Sequence, residues 1–236
     1  MGFDVKNTTK VGLLDLFCPH ICRGCGALGS VFCECCKKYM LERRQNVCPI
    51  CKQKVEKGEE KCRECEIPFR RFYVGSYREG ALAKMIREYK YQSVRAIEQV
   101  LLELLFKAVP EDLGVEAERI VVVPLPTIGK HVRQRGLDHT KILAKKLAKR
   151  RGWQCEIVLE RAADTVQVGT SAAERVKQAE QAYRVARKID VEKTYLLLDD
   201  VWTTGASMLA AAKTMQEAGV ENLVGVILAT GKPLEE

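Results

Sequence analysis

The stretch Tyr195-Leu-Leu-Leu-Asp-Asp-Val-Trp-Thr-Thr-Gly-Ala-Ser207 decides the fold of this chain. It opens on large apolar residues, as a strand buried on both faces does. Two adjacent carboxylates, Asp199 and Asp200, close the apolar run. A short loop of hydroxyl residues and glycine follows, and it opens a segment in which Met208, Ala211, Ala212 and Met215 recur at helical spacing. The backbone amides of such a loop, those of Gly205, Ala206 and Ser207 among them, combine with the positive end of the helix into a cradle for phosphate. Thr203, Thr204 and Ser207 add hydroxyl donors, and Gly205 allows the backbone to come close. Asp199 and Asp200 then stand roughly one sugar ring from the phosphate, placed to accept hydrogen bonds from ribose hydroxyls. In an open α/β sheet this strand end is where ligands bind. A generic strand–loop–helix corner has no need of adjacent acids there.

Outward from this corner the same alternation continues. Ile120 to Leu125, Cys155 to Leu159 and Leu223 to Ala229 are short runs rich in Val, Ile and Leu, and each is expected to be a buried strand. Leu82, Met85, Ile86 and Tyr89 recur at helical spacing, and Gly219 stands where a helix C-cap is expected. Strands alternating with helices predict a parallel sheet flanked by helices, an α/β fold. Cys155 reads as core.

The front of the chain is different. Ten of the eleven cysteines lie between Cys18 and Cys65, which sets an expected boundary near residue 68 between a cysteine-rich domain (1–68) and the α/β domain (69–236). Four CxxC pairs can be read: Cys22/Cys25, Cys33/Cys36, Cys48/Cys51 and Cys62/Cys65. Two residues between thiolates let both sulfurs grip one tetrahedral ion, so eight ligands imply two structural zinc ions. A segment this short with few large aliphatics cannot fold on burial alone, and zinc binding of about 10–16 kcal/mol per site is sufficient. Sequential pairing gives two ribbons in tandem. The spacing does not exclude an interleaved pairing, and Cys18, His20 and Cys35 are candidate substitutes in the first site.

No apolar run approaches the roughly 18 residues of a membrane span. The polar first ten residues lack a secretory layout, so the expected location is the cytoplasm, where metal ligation is favoured over disulfides. The formal net charge is +8. Residues 1–70 contribute 13 Lys/Arg against 9 Asp/Glu, an excess that two zinc ions, each on four thiolates, would largely cancel. Residues 129–151 hold nine Lys/Arg against one acid, Asp138, which points to an anionic partner.

The Tyr195–Ser207 segment resembles the signature of type I phosphoribosyltransferases: apolar strand, two acids, two variable residues, Thr-Gly and a small hydroxyl residue. The resemblance extends to the ComF family through Leu13-Leu-Asp-Leu-Phe-Cys18, the CxxC pairs, Tyr77 to Tyr91, Val123-Pro-Leu-Pro126, Arg133-Gln-Arg-Gly136 and the Asp164 to Arg175 stretch. It implies a double zinc ribbon before a type I phosphoribosyltransferase-like domain, and a role in natural competence, the uptake of single-stranded DNA. It further implies binding of 5-phosphoribosyl-1-pyrophosphate with Mg²⁺ and pentosyl transfer to an unknown acceptor. The implied catalytic set is Asp199, Asp200, Arg133 and Arg135. The region from Val123 to Arg135 would be the loop that meets the diphosphate, with Lys130, Arg133 and Arg135 as its cations, and residues 161–184 would form a hood with Thr165, Gln167, Ser171 and Arg175 as its polar positions.

Departures from the family pattern fall on the acceptor side. Leu137-Asp138-His139 stands where Phe-Asn-Gln is usual, and Gln178 replaces an Asn. Thr203 stands where purine-base relatives carry a carboxylate, and a threonine cannot take a proton near pH 7. Either the acceptor needs no base, or His139 or Asp138 serves, or no transfer takes place. His131 and His139 read more readily as surface residues than as catalysts. A binding module is the competing class: Lys141, Lys145, Lys149 and Arg150 would follow single-stranded DNA on a helix whose Ile142, Leu143 and Leu147 face inward. A third class is an adaptor whose ribbons bind a DNA-uptake helicase or channel. Trp202, if exposed, would stack on a ligand.

Overall fold

The computed structural model describes residues 20–42, 48–51, 53, 55, 62, 64–92, 95–162 and 182–231. Its centre is a five-stranded sheet in the order β1 (Arg71–Tyr77), β7 (Asn222–Thr230), β6 (Thr194–Trp202), β2 (Ile120–Pro124), β3 (Gln154–Cys155). All four neighbouring pairs are parallel. The expected parallel α/β sheet is therefore present.

Burial on both faces explains the apolar runs. Val122, Leu196, Leu198, Val226 and Leu228 face one side, under α2 (Gly80–Gln92), α3 (Arg95–Ala108) and α5 (His139–Arg151). Val121, Val123, Leu197 and Ile227 face the other, under α6 (Ala206–Glu217) and the hairpin of β4 (Leu159–Arg161) and β5 (Tyr183–Val185). At about 1.5–3 kcal/mol per fully buried aliphatic side chain, this double layer is the main source of stability.

Two expectations need correction. The run from Cys155 to Leu159 is not one strand. Gln154 and Cys155 finish the sheet beside Val121 and Val122, whereas Leu159 begins an antiparallel pair with Val185 outside it. The segment between Val123 and Arg135 is not wholly a loop, because Gly129–Arg135 forms a short helix, α4, that ends on Gly136 in the left-handed region. Gly219 follows α6 with a positive φ, as expected of a C-cap position.

The cysteine-rich part contributes one helix, α1 (Glu34–Glu42), among the described residues. Cys22, Val31 and Phe32 are buried in the same apolar cluster as Leu82, Met85 and Leu101 of α2 and α3. Arg23 Nε donates to Glu88 Oε2 at 2.8 Å, tying the first cysteine turn to α2. No described helix is long and apolar enough to cross a membrane.

Candidate functional site

Burial changes along the length of strand β6, and that change makes the site. Thr194 to Leu198 are buried, Asp199 to Val201 are half-buried, and Thr203 and Thr204 are exposed. The acid pair thus emerges at the C-terminal edge of the sheet. Gly205 turns the chain into α6 with φ +80°, and an added Cβ would stand 2.1 Å from the Trp202 ring. Trp202 is itself buried, edge-on to Phe72 at 5.2 Å between centroids, so it is a floor for the loop and not a stacking platform. Ala206 and Ser207 are exposed at the first turn of α6, where helix amides lack helical partners. The Ala206 amide donates to Thr204 Oγ1 at 3.4 Å.

The two acids differ electrostatically. Burial, and next the Asp200 carboxylate beside it, push Asp199 up to about 7, against the Asp200 amide that donates to its Oδ1 at 2.8 Å. Asp200 instead pairs with Lys90 Nζ of α2 at 2.5 Å. On the other side of the corner stands Tyr183 of β5, hydrogen-bonded to Ser207 and accepting from Arg161 Nη1 at 3.1 Å. Burial raises the Tyr183 phenol, and the Asp199 charge adds to the effect.

No local sequence pattern singles out Lys90 or Tyr183, because their elements are distant from the corner in the chain. Lys90 lies within the Tyr77–Tyr91 stretch that carries the family resemblance, and this is the one signal that marks it.

The cationic expectations divide. Lys130 and Arg133 are exposed on α4, whereas Arg135 is half-buried, its guanidinium 5.3 Å from the Tyr91 ring centroid. Asp138 caps α5, accepting from the Lys141 amide at 3.1 Å and from Thr127 Oγ1 at 3.2 Å. It is engaged as a cap. His139 is buried, which corrects the surface reading, and burial together with the neighbouring Arg135 lowers its pKa. Thr165, Gln167, Ser171, Arg175 and Gln178 lie outside the described residues, as does Cys18.

The cysteines form two groups. The sulfurs of Cys22, Cys25, Cys33 and Cys36 lie within 4.8 Å of one another, and so do those of Cys48, Cys51, Cys62 and Cys65. This is the sequential arrangement. His20 and Cys35 are exposed and stand outside both groups. A tetrahedral ion with Zn–S near 2.3 Å needs sulfurs about 3.8 Å apart. The Cys25–Cys33 and Cys51–Cys62 separations are 3.6 and 3.9 Å, which fits. The Gly24 and Cys33 amides donate to Cys22 Sγ at 3.4 and 3.3 Å, and the Ile50 amide donates to Cys48 Sγ at 3.4 Å, the support a thiolate ligand receives. Burial opposes the Cys22 thiolate, but the amides of Cys33, Cys25 and Gly24 bring it down to about 6. Gly24 has no room for a side chain, since a Cβ would meet Cys36 Sγ at 2.6 Å. Each group can hold a structural zinc.

No protein-family model matches the chain. Competence protein F of Haemophilus influenzae is 27% identical over 161 residues, covering 64% of this chain and 68% of that protein. Among solved structures, the allosteric regulatory enzyme of purine biosynthesis matches at 17% identity with a TM-score of 0.37, covering 60% of this chain but only 29% of that one. With two groups of four cysteines in front of a parallel α/β sheet and this sequence similarity, the chain resembles the ComF family of competence proteins.

Proposed function

We propose that the β6–α6 corner binds 5-phosphoribosyl-1-pyrophosphate with Mg²⁺, and that the chain serves in the handling of DNA during natural competence, as a phosphoribosyltransferase-type protein. One observation carries the reading: two half-buried acids at the edge of the central strand lead directly into an exposed hydroxyl loop, held against Trp202 by Gly205. The exposed Thr203, Thr204, Ala206 and Ser207 form the side that would receive the 5-phosphate. Asp199 and Asp200 face where the ribose would lie, and their hard oxygens suit both its hydroxyls and Mg²⁺. Mg²⁺ would neutralise charge on the diphosphate. Lys130 and Arg133 offer exposed cations for the same group.

For transfer, an acceptor's lone pair would form the new bond at the anomeric carbon as the bond to the diphosphate oxygen breaks, and pyrophosphate would depart with that electron pair. Electrostatic stabilisation of the leaving group by Lys130 and Arg133 would supply the catalysis. The acceptor's proton has no taker in the loop, since Thr203 cannot accept it. A binding role without transfer therefore keeps weight, and the exposed Lys145, Lys149 and Arg150 give it a surface for single-stranded DNA.

Calorimetric titration of phosphoribosyl pyrophosphate with Mg²⁺ tests the reading, on the zinc-loaded wild type and on Asp199→Asn/Asp200→Asn. Saturable binding that falls at least about ten-fold in the variant is expected. A folded wild type that takes up no ligand refutes the assignment and turns the search to DNA or a protein partner.

A further inference from the structure

A serine hydroxyl rotates to suit the partner it meets. Ser207 is exposed in the first turn of α6, yet its hydroxyl has a fixed neighbour, the hydrogen-bonded Tyr183 phenol of β5. Tyr183 is only 5% exposed and shares a buried cluster with Leu159 of β4 and with Met208, Ala211 and Ala212 of α6, so packing of the ring fixes the phenol. Arg161 stands directly opposite Tyr183 in the β4–β5 hairpin, which places both side chains on one face. Its Nη1 donates to the phenol oxygen at 3.1 Å, and its guanidinium carbon lies 5.1 Å from the ring centroid.

The donors give this chain a direction. A guanidinium only donates, whereas a phenol both accepts and donates. With Arg161 donating to the phenol oxygen, the phenol proton is available to Ser207 Oγ. Ser207 then has its own proton to give, on the exposed side of the loop. Each bond in such a chain polarises the next, so the Arg161 charge strengthens the serine as a donor. The charge pattern of the hairpin agrees. Glu160, on the other face, is paired with Arg184 at 2.9 Å, and no carboxylate among the described residues pairs with Arg161. The Asp199 charge reaches Tyr183 through space, while the hydrogen bond of Asp199 comes from the Asp200 amide. An anion at the loop would be the counter-charge to the guanidinium.

We propose that Arg161 and Tyr183 are positioning residues for a phosphate monoester at the β6–α6 corner: Arg161 polarises the Tyr183 hydroxyl, and Tyr183 aims the Ser207 proton at a phosphate oxygen. The proposal deepens the phosphoribosyl reading and rests on it, since the 5-phosphate is the end of the ligand that the hairpin would serve. Neither residue touches the ligand, and no proton changes owner.

Calorimetric titration of the zinc-loaded full chain tests this, with ribose 5-phosphate and with phosphoribosyl pyrophosphate plus Mg²⁺. The proteins are the wild type, Arg161→Met, Tyr183→Phe, Ser207→Ala and the Tyr183→Phe/Ser207→Ala double variant. Arg161→Met and Tyr183→Phe should each weaken both ligands by about three- to ten-fold. Tyr183→Phe keeps the packed ring and should melt within about 4 °C of the wild type. Because Tyr183 acts through Ser207, its replacement should cost less than about two-fold further once Ser207 is alanine, an interaction that a merely structural role would not produce. If Arg161→Met fails to fold, the Tyr183–Ser207 cycle decides alone. Unchanged affinity in a folded Tyr183→Phe or Arg161→Met, or a Tyr183→Phe loss that adds in full to that of Ser207→Ala, overturns this proposal and leaves the phosphoribosyl reading standing. A folded wild type that takes up neither ligand overturns both.

Discussion

Asp199 concentrates the electrostatics of the corner in one carboxyl group. Burial first, and the adjacent Asp200 second, lift it from its ordinary value of 3.8 to about 7. An acid whose pKa is raised by folding binds its proton more tightly in the native state. Between about pH 4 and 7 the folded chain therefore holds more protons than the unfolded one, and this group's contribution to stability falls as pH rises. Asparagine keeps an oxygen for the Asp200 amide and removes the titration. Asp199→Asn should consequently match the wild type near pH 4 and melt higher at about pH 8, with the gap opening across the interval. Melting temperatures of both proteins across that range check it, and parallel curves would show that Asp199 is not held in the protonated form. His139 carries the complementary lesson for reading sequences. At the first turn of an amphipathic lysine-rich helix it looks like a surface residue, and only the packing of α2 against α5 reveals it as buried.

Among the elements, the cysteine turns make the sharpest demand on particular side chains. Each group has four sulfurs converging on one point, and Cys35 lies outside that convergence although it sits between two ligands in sequence. Cys22→Ser should reduce the zinc content from two ions per chain to one, and Cys35→Ser should leave both, as measured by elemental mass spectrometry. Equal loss in the two variants would refute the assignment. The spacing makes the ligands legible in the sequence, but their sequential pairing follows only from how the turns fold back. The sheet shows the same division. Strands β2, β6 and β7 are readable because both of their faces are buried, giving unbroken Val/Ile/Leu runs. Strand β1 is not, since Arg71-Phe-Tyr-Val-Gly-Ser-Tyr77 is an edge strand of mixed burial interrupted by a glycine. Cys155 to Leu159 reads as one strand because its residues are apolar enough, while the chain in fact leaves the sheet after Cys155. The acid pair and its loop are legible because they are contiguous. Lys90 and Tyr183 come from other elements, and no local pattern announces them.

At the scale of the molecule, the cysteine-rich part and the sheet are less separate than their compositions suggest. Cys22, Val31 and Phe32 share the buried cluster of α2 and α3, and the Arg23–Glu88 pair crosses the same seam. Glu88 and Lys90 thus connect in turn to the first cysteine turn and the acid pair. The β4–β5 hairpin relates differently to the whole. Arg161 pairs with Tyr183, and the Ala162 amide donates to the Ala182 carbonyl at 2.9 Å, so the chain positions that flank residues 163–181 meet at one spot. To a protein engineer this is a seam that can be cut. Excising residues 163–181 and joining Ala162 to Ala182 through Asn-Gly should preserve zinc content and melting temperature. A drop in melting temperature of more than about 10 °C would show that the excised piece supports the fold. A stable product would be a trimmed chassis, on which whatever the removed stretch contributes to ligand affinity could be read by subtraction and then restored by grafting a chosen sequence into the gap.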